Sequence, residues 1–146
     1  MKARRKARCI ALQALYEIDC TGHAVAQVMD HRLEDDPLPD GVRPFAYRLV
    51  NGVLENMDRM DVVIQRYAPE WPLDQMAVID RNILRMAIYE FAIADLTPVK
   101  VAINEAVELA KIFGSDSAPR FINGVLGALA ARGDEIQKAL EVTADA

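Results

Sequence analysis

Apolar residues return every three or four positions along almost the whole of this chain, and no stretch alternates with the period of two that a half-buried strand requires. That spacing commits the backbone to helices, and the fold class it predicts is all-α. Breakers are sparse, with 7 Gly and 7 Pro among 146 residues. Hydrophobic residues make up 52% of the chain, enough for a sizeable core, while aromatics reach only 6%. Ala, Leu, Ile, Val and Met therefore fill the interior. The length suits one domain, or two small helical subdomains sharing a core.

The spacing predicts a first helix over residues 4–20, closed by Thr21-Gly22. A short second helix covers about 24–33. Glu34 to Gly41 forms an acidic loop, because Pro37, Pro39 and Gly41 exclude regular structure. A long third helix starts near Arg43 and carries Phe45, Leu49, Val53, Met57, Met60, Ile64 and Tyr67 in one stripe. Gly52 lies inside that stripe, where the close approach of another helix would explain it. Prolines around Trp71 mark the best boundary, giving an N-terminal subdomain over 1–68 and a C-terminal one over 69–146. In the second, a turn at 73–76 precedes a helix over 78–94. Thr97-Pro98 reads as a capped start for the next helix, which Gly114 ends as a left-handed cap. Ser115 and Ser117 read as capping hydroxyls of a helix running to about Arg132, and the tail after Gly133 reads as partly helical and fraying.

Charge is unevenly placed. The net −5 of the whole chain combines +5 in residues 1–16, which hold no acid, with −10 in the rest. Lys2, Arg4, Arg5, Lys6 and Arg8 occupy a helix start, where the backbone dipole disfavours cations. At 100° per residue, Arg4, Arg8 and Arg5 fall at about 0°, 40° and 100°, along one flank. Guanidinium forks match phosphate, so an anionic ligand is the natural compensation. No other constellation suggests chemistry. His23 and His31 lack partners at metal-ligand spacing, Cys9 and Cys20 cannot bridge within one helix, and no glycine loop could cradle a phosphate. No catalytic residue, cofactor or metal is expected, and binding rather than catalysis is the expected mode of action. No apolar run is long enough to span a bilayer and no signal-peptide core follows the charged start, so the expected location is the cytoplasm, without membrane partners.

Several segments together resemble the NusB family of bacterial antitermination factors. They are Arg4-Arg5-Lys6-Ala7-Arg8 with Ala11-Leu12-Gln13-Ala14-Leu15-Tyr16, then Leu49-Val50-Asn51-Gly52-Val53. Asp80-Arg81-Asn82-Ile83-Leu84-Arg85-Met86-Ala87-Ile88-Tyr89-Glu90 continues the likeness. Val101 to Lys111, Phe113-Gly114 and Phe121 to Leu126 complete it. The resemblance implies about seven helices in two packed subdomains. It also implies pairing with NusE, a small-subunit ribosomal protein, and joint binding of boxA RNA within the RNA polymerase antitermination complex that transcribes ribosomal RNA. On this likeness Lys2, Arg4, Arg5, Lys6, Arg8 and Phe121 are the RNA-binding residues. Tyr16 and Asp80 belong to the NusE or RNA surface. Asn104, Glu105, Lys111, Asn123, Arg85 and Glu90 read first as polar ties between helices, and Trp71 as a plug between subdomains. With so few exposed aromatics, the isolated protein is expected to discriminate poorly among bases.

Two other readings compete. A NusB-like domain precedes the catalytic domain of some ribosomal RNA cytosine methyltransferases, and a helical interaction module could lack RNA binding altogether. The intact basic run argues against the second.

Overall fold

The helical periodicity is realised as seven α-helices. The computed structural model describes residues 1–145, and no strand occurs among them. Two compact units, residues 1–55 and 56–146, meet inside the third helix.

In the first unit, α1 (Ala3–Thr21) buries Ala7, Ala11, Leu12, Ala14 and Leu15 on one stripe. Gly22, at φ 75°, closes it in the left-handed region that glycine adopts without strain, and its N–H bonds to the Ile18 carbonyl. Helix α2 (Val25–Asp35) packs on α1 and buries Val28, Met29 and Leu33. Leu38 turns inward from the acidic loop that follows. Helix α3 (Arg43–Tyr67) spans 25 residues and passes from the first unit into the second. Phe45, Leu49, Val53, Met60 and Ile64 of its expected stripe are buried, and so is Gly52.

The second unit continues through a 3-10 turn at Leu73–Gln75, then α4 (Val78–Ile88), a π-helical turn at Tyr89–Ile93, α5 (Val99–Phe113), α6 (Ala118–Ala130) and α7 (Gly133–Asp145). Helix α5 lies against both α4 and α6, and α4 also touches α6. Alanines make this closeness possible: Ala102, Ala106 and Ala110 of α5 are all buried. Arg85 ties α4 to α3. Its Nε and Nη2 reach the two Asp61 oxygens at 2.8 and 2.9 Å, and Nη1 donates to Asn82 Oδ1 at 3.1 Å. The fork satisfies a guanidinium that is only 5% exposed.

Four local expectations need correction. The helix expected over 78–94 loosens after Ile88, where the Ala94 N–H bonds to the Tyr89 carbonyl at 2.9 Å in π register. Thr97 does not cap α5, whose cap position is Pro98. The Thr97 hydroxyl instead donates to Glu90 Oε1 at 2.9 Å. Glu90 is 2% exposed, and a buried carboxylate needs that donor more than a helix end that water can serve. Gly114 ends α5 in extended conformation, φ −90° and ψ 177°, not in the left-handed one. What requires glycine there is proximity, since a Cβ would fall 2.6 Å from the Ala118 Cβ and 2.9 Å from the Ala110 carbonyl. Ser117 occupies the cap position of α6 but makes no side-chain cap bond, and its hydroxyl lies 3.4 Å from that of Ser115. The segment after Gly133 forms α7, with Ile136, Ala139 and Leu140 buried at helical spacing.

Candidate nucleic-acid interface

The basic residues of the first unit stand at the start of α1. That first turn holds no acid, and Lys2 at its cap position supplies no side-chain hydrogen bond. Four further cations follow, and Phe45 organises two of them. The Arg4 guanidinium lies 4.5 Å from the Phe45 ring centroid and that of Arg8 lies 5.2 Å from it. Both are cation–π distances. Their exposures differ sharply: Arg8 is 5% exposed, whereas Arg4 is exposed and Arg5 half-buried. Arg8 is therefore a packing residue of α1 as well as a charge. Lys6 turns to the acidic loop, with Nζ 2.8 Å from Asp36 Oδ1 and donating to the Pro37 carbonyl at 3.1 Å. Lys2 is exposed. Tyr16, farther along α1, is 43% exposed.

The expected residues of the second unit, Phe121 and Asp80, come together in a cleft of about 610 Å³ lined also by Trp71, Ser115, Ser117 and Arg120. Phe121 stands in the first turn of α6, and its ring faces Trp71 at 6.0 Å between centroids with the planes inclined by 48°. Trp71 is 53% exposed, so it is not the plug its neighbouring prolines suggest. Gln65 of α3 pins its backbone by donating to the Ala68 and Trp71 carbonyls, each at 3.1 Å, and accepting from the Leu73 N–H at 3.0 Å. Arg81 braces the same segment through the Leu73 carbonyl at 3.3 Å. Asp80 lies in the first turn of α4. Its Oδ1 is cut off from solvent with no hydrogen-bond partner among the described residues, and burial pushes the carboxyl above its ordinary 3.8. Trp71 is the functional-looking residue that sequence reasoning assigned elsewhere. Its place in the cleft depends on Gln65 and Arg81, which no local pattern reveals.

The remaining polar candidates divide. Arg85 and Glu90 are buried ties, as read from sequence. Asn104, Lys111 and Asn123 are exposed, with Lys111 paired to Glu108 on its own helix at 3.0 Å. His23 approaches Glu17 at 3.4 Å. Among the described residues no group of His, Cys, Asp and Glu side chains could hold a metal ion, and no helix is long and apolar enough to cross a membrane.

Known proteins similar to this chain include members of one family. The sequence profile of the NusB family matches residues 5–131. A transcription antitermination protein NusB of Dehalococcoides mccartyi (strain CBDB1) is 48% identical over 143 residues, covering 98% of this chain and 95% of the relative. One from Bacillus subtilis (strain 168) is 48% identical over 123 residues, covering 84% of this chain and 91% of the relative. The structure of T. maritima NusB superposes with a TM-score of 0.78 at 32% identity, over 94% of this chain and 92% of that one. A chain from a crystal structure of antitermination factors NusB and NusE in complex with dsRNA shares the fold, with a TM-score of 0.80 at 24% identity. That likeness covers 95% of this chain and 98% of that one.

Proposed function

Because this chain belongs to the NusB family of transcription antitermination proteins, we propose that it captures boxA-type RNA with the basic start of α1, acting together with a NusE-like ribosomal protein. The observation that carries this reading is the placement of five cations and no acid at the beginning of α1. They oppose the helix dipole, each such charge at a cost of about 0.3–1 kcal/mol at low salt, and a phosphate backbone reverses that cost. Arg4 supports the reading further. Stacking on Phe45 fixes its guanidinium while leaving it exposed, which reduces the entropy lost on binding.

The mechanism is electrostatic capture followed by docking of a partner. Lys2, Arg4, Arg5 and Lys6 supply attraction to phosphates that is largely insensitive to sequence. Arg8 positions the arm through Phe45. The −10 carried by the rest of the chain suits a basic ribosomal protein as partner, because complementary charge accelerates encounter. NusE is the partner found with NusB and RNA in the structurally similar complex.

Titration calorimetry with the cognate NusE, followed by RNA-binding anisotropy, tests the reading. The expected result is a one-to-one heterodimer that binds boxA RNA more tightly than either protein alone. Absence of a heterodimer at tens of micromolar removes the partnership. Equal affinity of the heterodimer for boxA and for an unrelated strand removes boxA recognition.

A further inference from the structure

Lys6 belongs to the basic start of α1, yet its ammonium is turned back onto its own chain. Nζ lies 2.8 Å from Asp36 Oδ1 and donates to the Pro37 carbonyl at 3.1 Å. An ammonium has three donors, so one remains for anything else. The two oxygens offer what a phosphate offers, a negative charge and a second acceptor. The acidic loop has supports of its own. Leu38 anchors it at 3% exposure. The Asp36 N–H bonds to the Arg32 carbonyl at 2.9 Å, and the Val42 and Arg43 N–H groups share the Pro39 carbonyl at 2.9 and 3.1 Å. Pro37 and Pro39 restrict the backbone between these points. Helix α1 is held separately, by Ala7, Ile10 and Ala11 in the interior. The ion pair itself is open to water, with side chains 34% and 55% exposed, so it can be exchanged at little cost. A contact that neither element needs for its shape, and that occupies a cation of the binding arm, is a competitor.

We propose that Asp36 and Pro37 form an autoinhibitory strap, which occupies Lys6 in the free chain and yields it only to an RNA strand already held by the neighbouring cations. The assignment rests on the RNA-binding reading above and adds to it a control on the same site. A carboxylate tethered beside Lys6 acts at a local concentration that dilute phosphate does not reach. A strand held by Lys2, Arg4 and Arg5 brings its next phosphate to Lys6 in the same tethered way, and the competition becomes even. Arg4 suits the first contact, being exposed and fixed over Phe45. Glu34, Asp35 and Asp40, all exposed in the same loop, add a negative field that weakens loosely held anions further. The strap therefore costs a continuous strand little and rejects short or scattered phosphate.

Fluorescence anisotropy of labelled oligouridine, titrated with the full chain at about 50 and about 200 mM salt, tests the strap. Asp36→Asn is expected to tighten binding about two- to fivefold at the lower salt. The gain should disappear at the higher salt, because ions screen the internal pair as well. Asp35→Asn removes the same charge from the same loop without touching Lys6, and should tighten binding less. In a Lys6→Gln background, Asp36→Asn should do no more than Asp35→Asn does. Equal gains from the two substitutions in the parent overturn the strap and leave only a general field. A gain from Asp36→Asn that survives Lys6→Gln at full size overturns it too, as does unchanged or weaker binding. Each of these results leaves RNA binding by α1 standing. Failure of the parent to bind oligouridine even at the lower salt removes phosphate capture by α1, and the strap with it.

Discussion

The arm at the start of α1 and the cleft beside Trp71 make opposite use of intramolecular partners. In the arm, cations are abundant and several are already engaged: Arg4 and Arg8 share Phe45, and Lys6 holds Asp36. In the cleft, one carboxylate oxygen lacks any partner among the described residues and a tryptophan stays half in solvent. The contrast follows exposure: Lys2 and Arg4 face solvent, whereas the Asp80 oxygen is shut away from it. Phosphates are recognised by charge, which acts over a Debye length and tolerates imperfect placement. An arm can exchange internal partners for phosphates.

The largest expected effect tests the arm as a charge device. Changing Lys2, Arg4 and Arg5 together to Gln should weaken RNA binding by on the order of 3 kcal/mol at low salt. It should also flatten the plot of log affinity against log salt by about 0.7 for each lost contact. Melting temperature should change less than the loss of RNA affinity would suggest, because cations at a helix start contribute no favourable dipole interaction and Lys2 and Arg4 are exposed. Unchanged affinity together with an unchanged salt slope would move the RNA site away from α1.

Arg8 divides the arm internally. Its burial against Phe45 predicts that Arg8→Gln destabilises the fold by about 1–2 kcal/mol, measured as a shift in urea midpoint. Arg4→Gln, losing a ring contact in solvent, should cost clearly less. Equal losses at the two positions would mean that the difference in burial has no energetic weight.

A smaller effect concerns the acidic loop. Asp36→Asn releases Lys6 from a surface ion pair, a contact of roughly 0–1 kcal/mol. RNA affinity should therefore rise a few-fold at most in low salt, and the gain should vanish in high salt. A fall in affinity would show that the loop orders the arm for binding instead of competing with phosphate.

The smallest effect belongs to the cleft. Burial raises the Asp80 carboxyl above its ordinary 3.8, so the folded chain holds that proton more tightly than the unfolded chain does. Between 3.8 and the raised folded value, the contribution of Asp80 to stability falls as pH increases, and above that window the cost of the charged form is fully present. Asp80→Asn should therefore melt slightly higher at neutral pH, with the advantage shrinking in acid. Melting curves of both proteins across that range check the sign.

The sequence by itself determined the all-α class, the stops at Gly22 and the acidic loop, the buried stripe of α3 and the polarity of the basic start. These are local properties, written in periodicity, breaker chemistry and charge within a few turns of the chain. It also displayed, through its motifs, the family to which the chain belongs. Contacts between distant positions were decided only by tertiary structure. Thr97 has the chemistry of a cap, yet Glu90 takes its hydroxyl because a buried carboxylate has no water to turn to. Gly114 has the position of a left-handed cap, yet it is needed because Ala118 comes too close for a side chain. Arg8 matches its neighbours in charge, yet Phe45 takes it into the interior. Trp71 beside proline has the look of a plug, because proline and tryptophan together suggest packing. Gln65 and Arg81 hold its segment so that the ring stands open beside Phe121 and Asp80. Helical pattern depends on neighbours three and four residues away, and a side chain's partners depend on which distant helix arrives beside it.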